Sequence, residues 1–240
     1  MNKKGTGRNR PYATSTYFPL GKNFVCKKFN NTFKKTKIIL KILDNSFNEI
    51  KDLEAFEFEN NYISPNNKKN LVVIRDFFGY TVEGEKLFVG NTQKGFHFTI
   101  FDTNGNKLYE ISRPYEKIPI TSKHKQEEMK ELLKTVGKTR YERSKKKYNY
   151  LYPEFFPAYS NFTVDENKIY VLTYPKIDGQ KKMLVLDQKG NLLNSLMVPT
   201  REYNENFCIY KNKYYYIFDN NESEKWEIHV IKINDLGTGR

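Results

Sequence analysis

Glu166-Asn167-Lys168-Ile169-Tyr170-Val171, then Met183-Leu184-Val185-Leu186, then Asp187-Gln188-Lys189-Gly190-Asn191, then Leu192-Leu193-Asn194-Ser195-Leu196 is the stretch that decides the fold. It reads as a polar turn, an apolar strand, a second apolar strand, an Asx/Gly turn and a shorter, more polar strand. An Asp in such a turn bonds the backbone ahead of it, and Gly accepts a positive φ. Strands joined by short turns pair as an antiparallel meander.

The chain writes this pattern again in other places. One copy runs Gly84-Glu85-Lys86-Leu87-Phe88-Val89, His97-Phe98-Thr99-Ile100-Phe101, Asp102-Thr103-Asn104-Gly105-Asn106 and Lys107-Leu108-Tyr109-Glu110-Ile111. Another runs Lys211-Asn212-Lys213-Tyr214-Tyr215-Tyr216, then Glu227-Ile228-His229-Val230-Ile231-Lys232-Ile233, then Asn234-Asp235-Leu236-Gly237. The faintest runs Gly21-Lys22-Asn23-Phe24-Val25, then Ile38-Ile39-Leu40-Lys41-Ile42-Leu43, then Asp44-Asn45-Ser46-Phe47-Asn48. Repeats set the architecture. One meander cannot bury both of its faces, but meanders repeated around an axis cover one another, as in a β-propeller.

The expectation is an all-β, propeller-like single domain over 1–240. About four blades of four-stranded antiparallel sheet fall near 17–55, 70–112, 158–198 and 204–240, with a helical, basic insertion near 113–157. The last copy reaches its turn with no outer strand after it, and both ends read as cut. That predicts open strand edges, filled by missing blades or by a second copy of the chain.

Within the insertion, Met129, Leu132, Leu133 and Val136 fall at i, i+3, i+4 and i+7, the stripe of an amphipathic helix expected to pack on a blade. Thr121 or Ser122 can cap its start, and Gly137 stands past its end. Lys138, Arg140, Arg143, Lys145, Lys146 and Lys147 follow, interleaved with Tyr141, Tyr148 and Tyr150. The polar segments Asn60-Asn61 and Ser64 to Asn70 read as loop.

The 240 residues carry 18 Tyr, 18 Phe and a formal net charge of +13. Aromatic enrichment favours strands. The charge suits an anionic partner, but lysines spread along the whole chain read first as a solvated surface. No apolar run is long enough to span a membrane. The basic start, Met1-Asn2-Lys3-Lys4-Gly5, lacks the apolar stretch of a signal peptide. Cys26 and Cys208 sit in strand-like runs without a CxxC spacing, so both are expected as buried free thiols.

The Lys-φ-φ-φ strands (φ apolar), the φ-φ-φ-Asp-x-x-Gly turns, the helical insertion and Tyr152-Pro153-Glu154-Phe155-Phe156-Pro157 after it together resemble bacterial six-bladed β-propeller proteins related to the NHL-repeat and TolB-like propellers. Lys4-Gly5-Thr6-Gly7 is similar to their Gly-rich inter-blade loop. The resemblance covers roughly residues 4–237. It implies a propeller and an exported or envelope-attached protein, and it transfers no catalytic residue. Six blades are usual in that group, against about four here, and the missing export signal departs from it.

Signals for chemistry are sparse. His97, His124 and His229 form no metal-ligand spacing. Propeller lactonases hold calcium in a central funnel through carboxylates and amides. Glu83, Asp165 and Asn212 qualify by type and are better read as turn residues. No cofactor is evident, and calcium enters by fold analogy alone. No GxSxG elbow exists, and neither Gly5-Thr6-Gly7-Arg8 nor Gly237-Thr238-Gly239-Arg240 lies between a strand and a helix as a phosphate loop requires. The sequence thus favours a non-enzymatic scaffold that binds a protein or ligand through loops on one face. Arg140, Tyr141, Arg143, Lys145, Lys146, Lys147 and Tyr148 are the candidate contacts. The alternatives are a metal-dependent propeller hydrolase and binding of nucleic acid or another polyanion through 138–150.

Overall fold

The Asx turns show how each sheet is closed. The computed structural model describes residues 17–32, 35–59, 68–199, 207–220 and 225–235. In it, Asp44, Asp102 and Asp187 make the same bonds. Oδ1 accepts from the backbone N–H two and four residues ahead, and Oδ2 accepts from the amide of the Asn four ahead, at 2.8–3.0 Å. These bonds from the side chain and backbone of that Asn favour the ionised carboxylate and hold all three below the usual Asp range.

Around these turns the strands form meanders. The first sheet is β1 (Phe18–Leu20), β2 (Asn23–Asn31), β3 (Lys35–Leu43) and β4 (Glu49–Glu59) in that order. A short strand, β5 (Lys69–Val72), precedes the second sheet of β6 (Phe78–Glu83), β7 (Lys86–Asn91), β8 (Phe96–Phe101) and β9 (Lys107–Arg113). Then come helices α1 (Ser122–Val136) and α2 (Lys138–Lys147) and strand β10 (Tyr148–Leu151). The third sheet is β11 (Asn161–Asp165), β12 (Lys168–Ile177), β13 (Gln180–Asp187) and β14 (Leu192–Pro199). The fourth has three strands among the described residues: β15 (Phe207–Tyr210), β16 (Lys213–Asn220) and β17 (Lys225–Lys232). Every pairing within these sheets is antiparallel.

Period-two alternation sends neighbouring residues to opposite faces, and in the second and third sheets each face meets a different sheet. Along β12, Ile169 and Val171 enter the cluster shared with the second sheet, while Tyr170 and Leu172 enter the one shared with the fourth. Leu87 and Val89 face the first sheet, and Phe88 faces the third. Three apolar clusters thereby glue four sheets face to face. The first strand of each sheet packs beside the first strand of the next: β1 by β6, β6 by β11, β11 by β15. This is a four-blade propeller arrangement. No comparable packing joins β15 to β1 among the described residues.

At two of the sheet–sheet contacts an Asx turn presses closely on the preceding sheet. Gly105 and Gly190 have φ of +76° and +85°. A Cβ on Gly105 would stand 2.8 Å from Ile42 and Leu53 of the first sheet, and one on Gly190 would stand 2.4 Å from Ile111 of the second. The preceding sheet occupies the space, so only Gly fits. In the first sheet the equivalent residue is Phe47, at φ +61°. Its ring stacks on Phe24 at 5.0 Å and meets Tyr17 edge-on at 5.4 Å.

Two expectations need correction. Lys69 and Asn70, read as loop, open β5. They pair in parallel with Tyr148 and Asn149 of β10, a partner 79 residues away that local alternation cannot reveal. Cys26 is a buried thiol, but Cys208 is exposed. Cys208 is in register with Tyr215 on the face of the fourth sheet that no other described sheet covers. The Gly-rich segments at 4–8 and 237–240, and the polar residues 60–67, lie outside the described residues.

Candidate functional site

In a four-strand meander the first strand starts, and the second and fourth strands end or turn, so that all inter-sheet connections leave from one end. The hairpins β2–β3, β7–β8 and β12–β13 open at that end too. The Asx turns lie at the other. The insertion between β9 and β11 therefore crowns the end that already carries every long connection, the usual place for recognition on a rigid scaffold.

The insertion is held in place by backbone bonds. At its base, Pro119 bridges Phe155, Phe156 N–H donates to the Ile118 carbonyl and Ile120 N–H to that of Glu154, both at 2.9 Å. Ile74, Ile120 and Phe156 make a small buried cluster, with Tyr152 and Tyr174 against it. Tyr174, on β12, donates its hydroxyl to the Arg75 carbonyl at 2.6 Å and so ties this cluster to the third sheet.

Thr121 is the N-cap of α1, in a reciprocal box with His124. Gly137, at φ +75°, ends the helix. α1 contacts α2, and α2 contacts β10. The helices reach the propeller through the β5–β10 ribbon and through the first turn of α1, where His124 meets the Phe156 ring at 5.0 Å and Lys125 Nζ stands 5.5 Å over Tyr152. Tyr150 of β10 donates to Ser144 Oγ at 2.6 Å, and Lys68 Nζ donates to the Lys145 carbonyl at 3.1 Å. A cation at that carbonyl also suits the negative end of the α2 dipole.

All the candidate contact residues except Tyr148 lie on α2, and Tyr148 opens β10. Helical spacing brings Arg140, Arg143, Lys146 and Lys147 to one exposed side, at i, i+3, i+6 and i+7. Lys145 lies off that side, over the Tyr141 ring at 5.3 Å and 3.9 Å from Glu142. Tyr141, Tyr148 and Tyr150 are half-buried. Burial, with the Glu128 carboxylate near, pushes the Tyr152 hydroxyl up to about 12.

Beside the insertion lies a groove of about 510 Å³ that the sequence reading missed. Phe56 and Phe58 from β4, Arg75, Tyr115, and Phe155 line it. The Arg75 guanidinium sits 5.0 Å from the Phe58 ring, and its pKa is lowered by burial. Lys117 stands 5.8 Å above Phe155. They come from β4, from the segment before β6 and from both ends of the insertion, so only the fold assembles the set.

Of the histidines, His97 is buried between Ser112 Oγ at 2.9 Å and Thr99 Oγ1 at 3.1 Å, and burial lowers its pKa. His229 contacts Glu227, at 2.9 Å, and Tyr216. Glu83 and Asp165 close β6 and β11, and Asn212 turns the chain into β16 at φ +58°. Among the described residues, no three His, Cys, Asp or Glu side chains converge as a metal site. No helix among them is long and apolar enough to cross a membrane.

No family model matches the chain, and no curated protein matches it in sequence. Among solved structures it is similar to the β-propeller domain of the Trilobed protease from Pyrococcus furiosus, at a TM-score of 0.36 and 9% identity. That match covers 90% of this chain and 54% of the other, so the chain spans about half the length of the structure it matches.

Proposed function

We propose that this protein is a non-catalytic binding module that holds an anionic partner at the insertion end, through Arg140, Arg143, Lys146 and Lys147. The observation that carries the reading is the exposed side of α2. Four cations share it, and the acidic residue of the helix, Glu142, stands at its edge, 3.9 Å from Lys145 and four residues before Lys146, so the side stays net positive. Cations on a fixed helix attract a polyanion at long range and release its counterions on contact, so binding weakens steeply with salt. The helix needs no rearrangement to present them. The affiliation with NHL-repeat and TolB-like propellers, drawn from the strand and turn motifs, forms part of this reading.

The test is retention on heparin and on single-stranded DNA across a salt series. The wild type should bind at low salt and elute with a steep salt dependence. An Arg140→Glu/Arg143→Glu variant with an unchanged thermal melt should elute far earlier. Passage of the folded wild type straight through at low salt would sink the proposal, and so would retention that the variant does not lose.

A further inference from the structure

The fourth sheet buries one face and bares the other. Tyr214 and Tyr216 point into the cluster shared with the third sheet. The register of β15, β16 and β17 then puts Cys208, Tyr215, Ile217, Trp226, Ile228 and Val230 on the opposite face. Ile228 is 73% exposed, Trp226 70%, Val230 50% and Ile217 45%. Adjacent large apolar side chains this open mark an interface.

The face has counterparts inside the molecule. Tyr215 and Ile217 occupy the positions held in the third sheet by Tyr170 and Leu172, which are buried against the fourth sheet. Phe88 holds the same place in the second sheet, buried against the third. The bare face is therefore a continuation of an interface the fold makes three times.

The first sheet cannot serve as its cover in the same geometry. The two internal contacts next to Asx turns need Gly105 and Gly190, with the preceding sheet pressed to within 2.8 and 2.4 Å of where a Cβ would be. The first sheet has Phe47 there. Its free face is also charged: Lys28, Lys41, Glu49 and Asp52 are ion-paired across it. Neither ring closure nor head-to-tail addition of a second chain can repeat the internal packing.

We infer that the bare face of the fourth sheet is the contact between two copies of this chain, each covering the other's Trp226, Ile228 and Val230. Identical apolar faces are self-complementary, and a two-fold contact closes after two chains. Lys213 and Lys232 pair across β16 and β17 at one end of the face. A two-fold axis running across the strands sends the two lysine ends in opposite directions, so like charges do not meet.

The chain supplies its own probe, because Trp226 is its single tryptophan. The experiment is light scattering after size exclusion, with tryptophan emission followed on dilution. Expected are the mass of two chains at high concentration and a red shift of the emission as dilution splits the pair. Ile228→Lys and, separately, Val230→Lys should give single chains with red-shifted emission at all concentrations and an unaltered far-ultraviolet dichroism spectrum. Leu108→Lys, a 48% exposed position on β9, should leave the pair intact. A wild type that stays a single chain at every concentration overturns the inference. So does a pair that survives both β17 substitutions in folded form, since it would be built elsewhere. Retention on heparin is read on the same variants, and its loss or persistence leaves this outcome untouched.

Discussion

The first and fourth sheets each have one face that no other described sheet covers, and they treat it in opposite ways. The first sheet lays Phe47 over Phe24 and pairs Lys41 with Glu49 and Asp52, so that Cys26 and Leu43 beneath are almost wholly buried. The fourth leaves Trp226, Ile228 and Val230 to solvent. Burying one such side chain is worth roughly 1.5–3 kcal/mol, whereas an exposed ion pair is worth about 0–1 kcal/mol. The first face loses little by staying uncovered, and the fourth gains much by being covered. End repeats of stacked-repeat proteins show the same logic: a polar outer face stops the stack.

The most forceful way to break the contrast is to move the first sheet's turn residue into the third. Gly190→Phe drives a side chain into Ile111 and should cost more than about 3 kcal/mol or prevent cooperative folding, read by thermal melting. Phe47→Gly should change stability by less than about 1 kcal/mol. Relief of the left-handed backbone, about 1–2 kcal/mol, offsets the lost ring stacking. Equal effects from the two changes would mean that the turns are not under different constraints.

Next in size is Lys41. Burial alone pulls its pKa down, but hydrogen bonds and charge from Asp52 and Glu49 outweigh that and leave it raised. Lys41→Ala removes the cation between two partly exposed carboxylates and should cost about 1–2 kcal/mol. Lys41→Met, which keeps the stem, should recover part of it. The raised pKa means that this stabilisation is complete below the unfolded value of 10.5 and is lost as pH rises through the folded value.

Acid should act on the turns. Asp44, Asp102 and Asp187 have depressed pKa values, so their stabilisation is complete above the unfolded value of 3.8 and fades as pH falls through the folded values. Asp187→Asn should lower the neutral end of a melting-temperature profile and leave the end below about pH 4 nearly as before, so that the acid limb flattens. An unchanged acid limb would remove the turn from the account.

The smallest effect separates the thiols. In dilute solution Cys208 should react with a disulfide reagent at once. Cys26, whose thiol is held up by burial and by Glu49, should wait for unfolding. Cys208→Ser should leave stability within about 0.5 kcal/mol.

The sequence announced local chemistry well. The Asp-x-x-Gly-Asn turns, the Thr121 cap, the Gly137 stop and the alternating strands each carry their signal within a few residues. What it hid was decided by distant neighbours. Phe47 stands where the other two turns have Gly, and its place is explained by the fold: no described sheet presses on that turn. Cys208 reads like Cys26 until one knows which face is covered. Of the candidate contacts, the cations were legible as a run, but the gathering of Arg140, Arg143, Lys146 and Lys147 on one side follows from α2 being a helix. The groove with Phe58, Arg75 and Phe155 left no sequence trace.

The β5–β10 ribbon has a mechanical consequence. Its two strands run parallel and flank the second sheet and both helices along the chain. A load hung on α2 passes through β10 into β5 as shear along the ribbon. That brings the force to the junction of the first two sheets as well as to the third. Parallel strands loaded in shear give way together rather than one bond at a time, so the ribbon acts as a tether that spreads any pull on α2 over the scaffold.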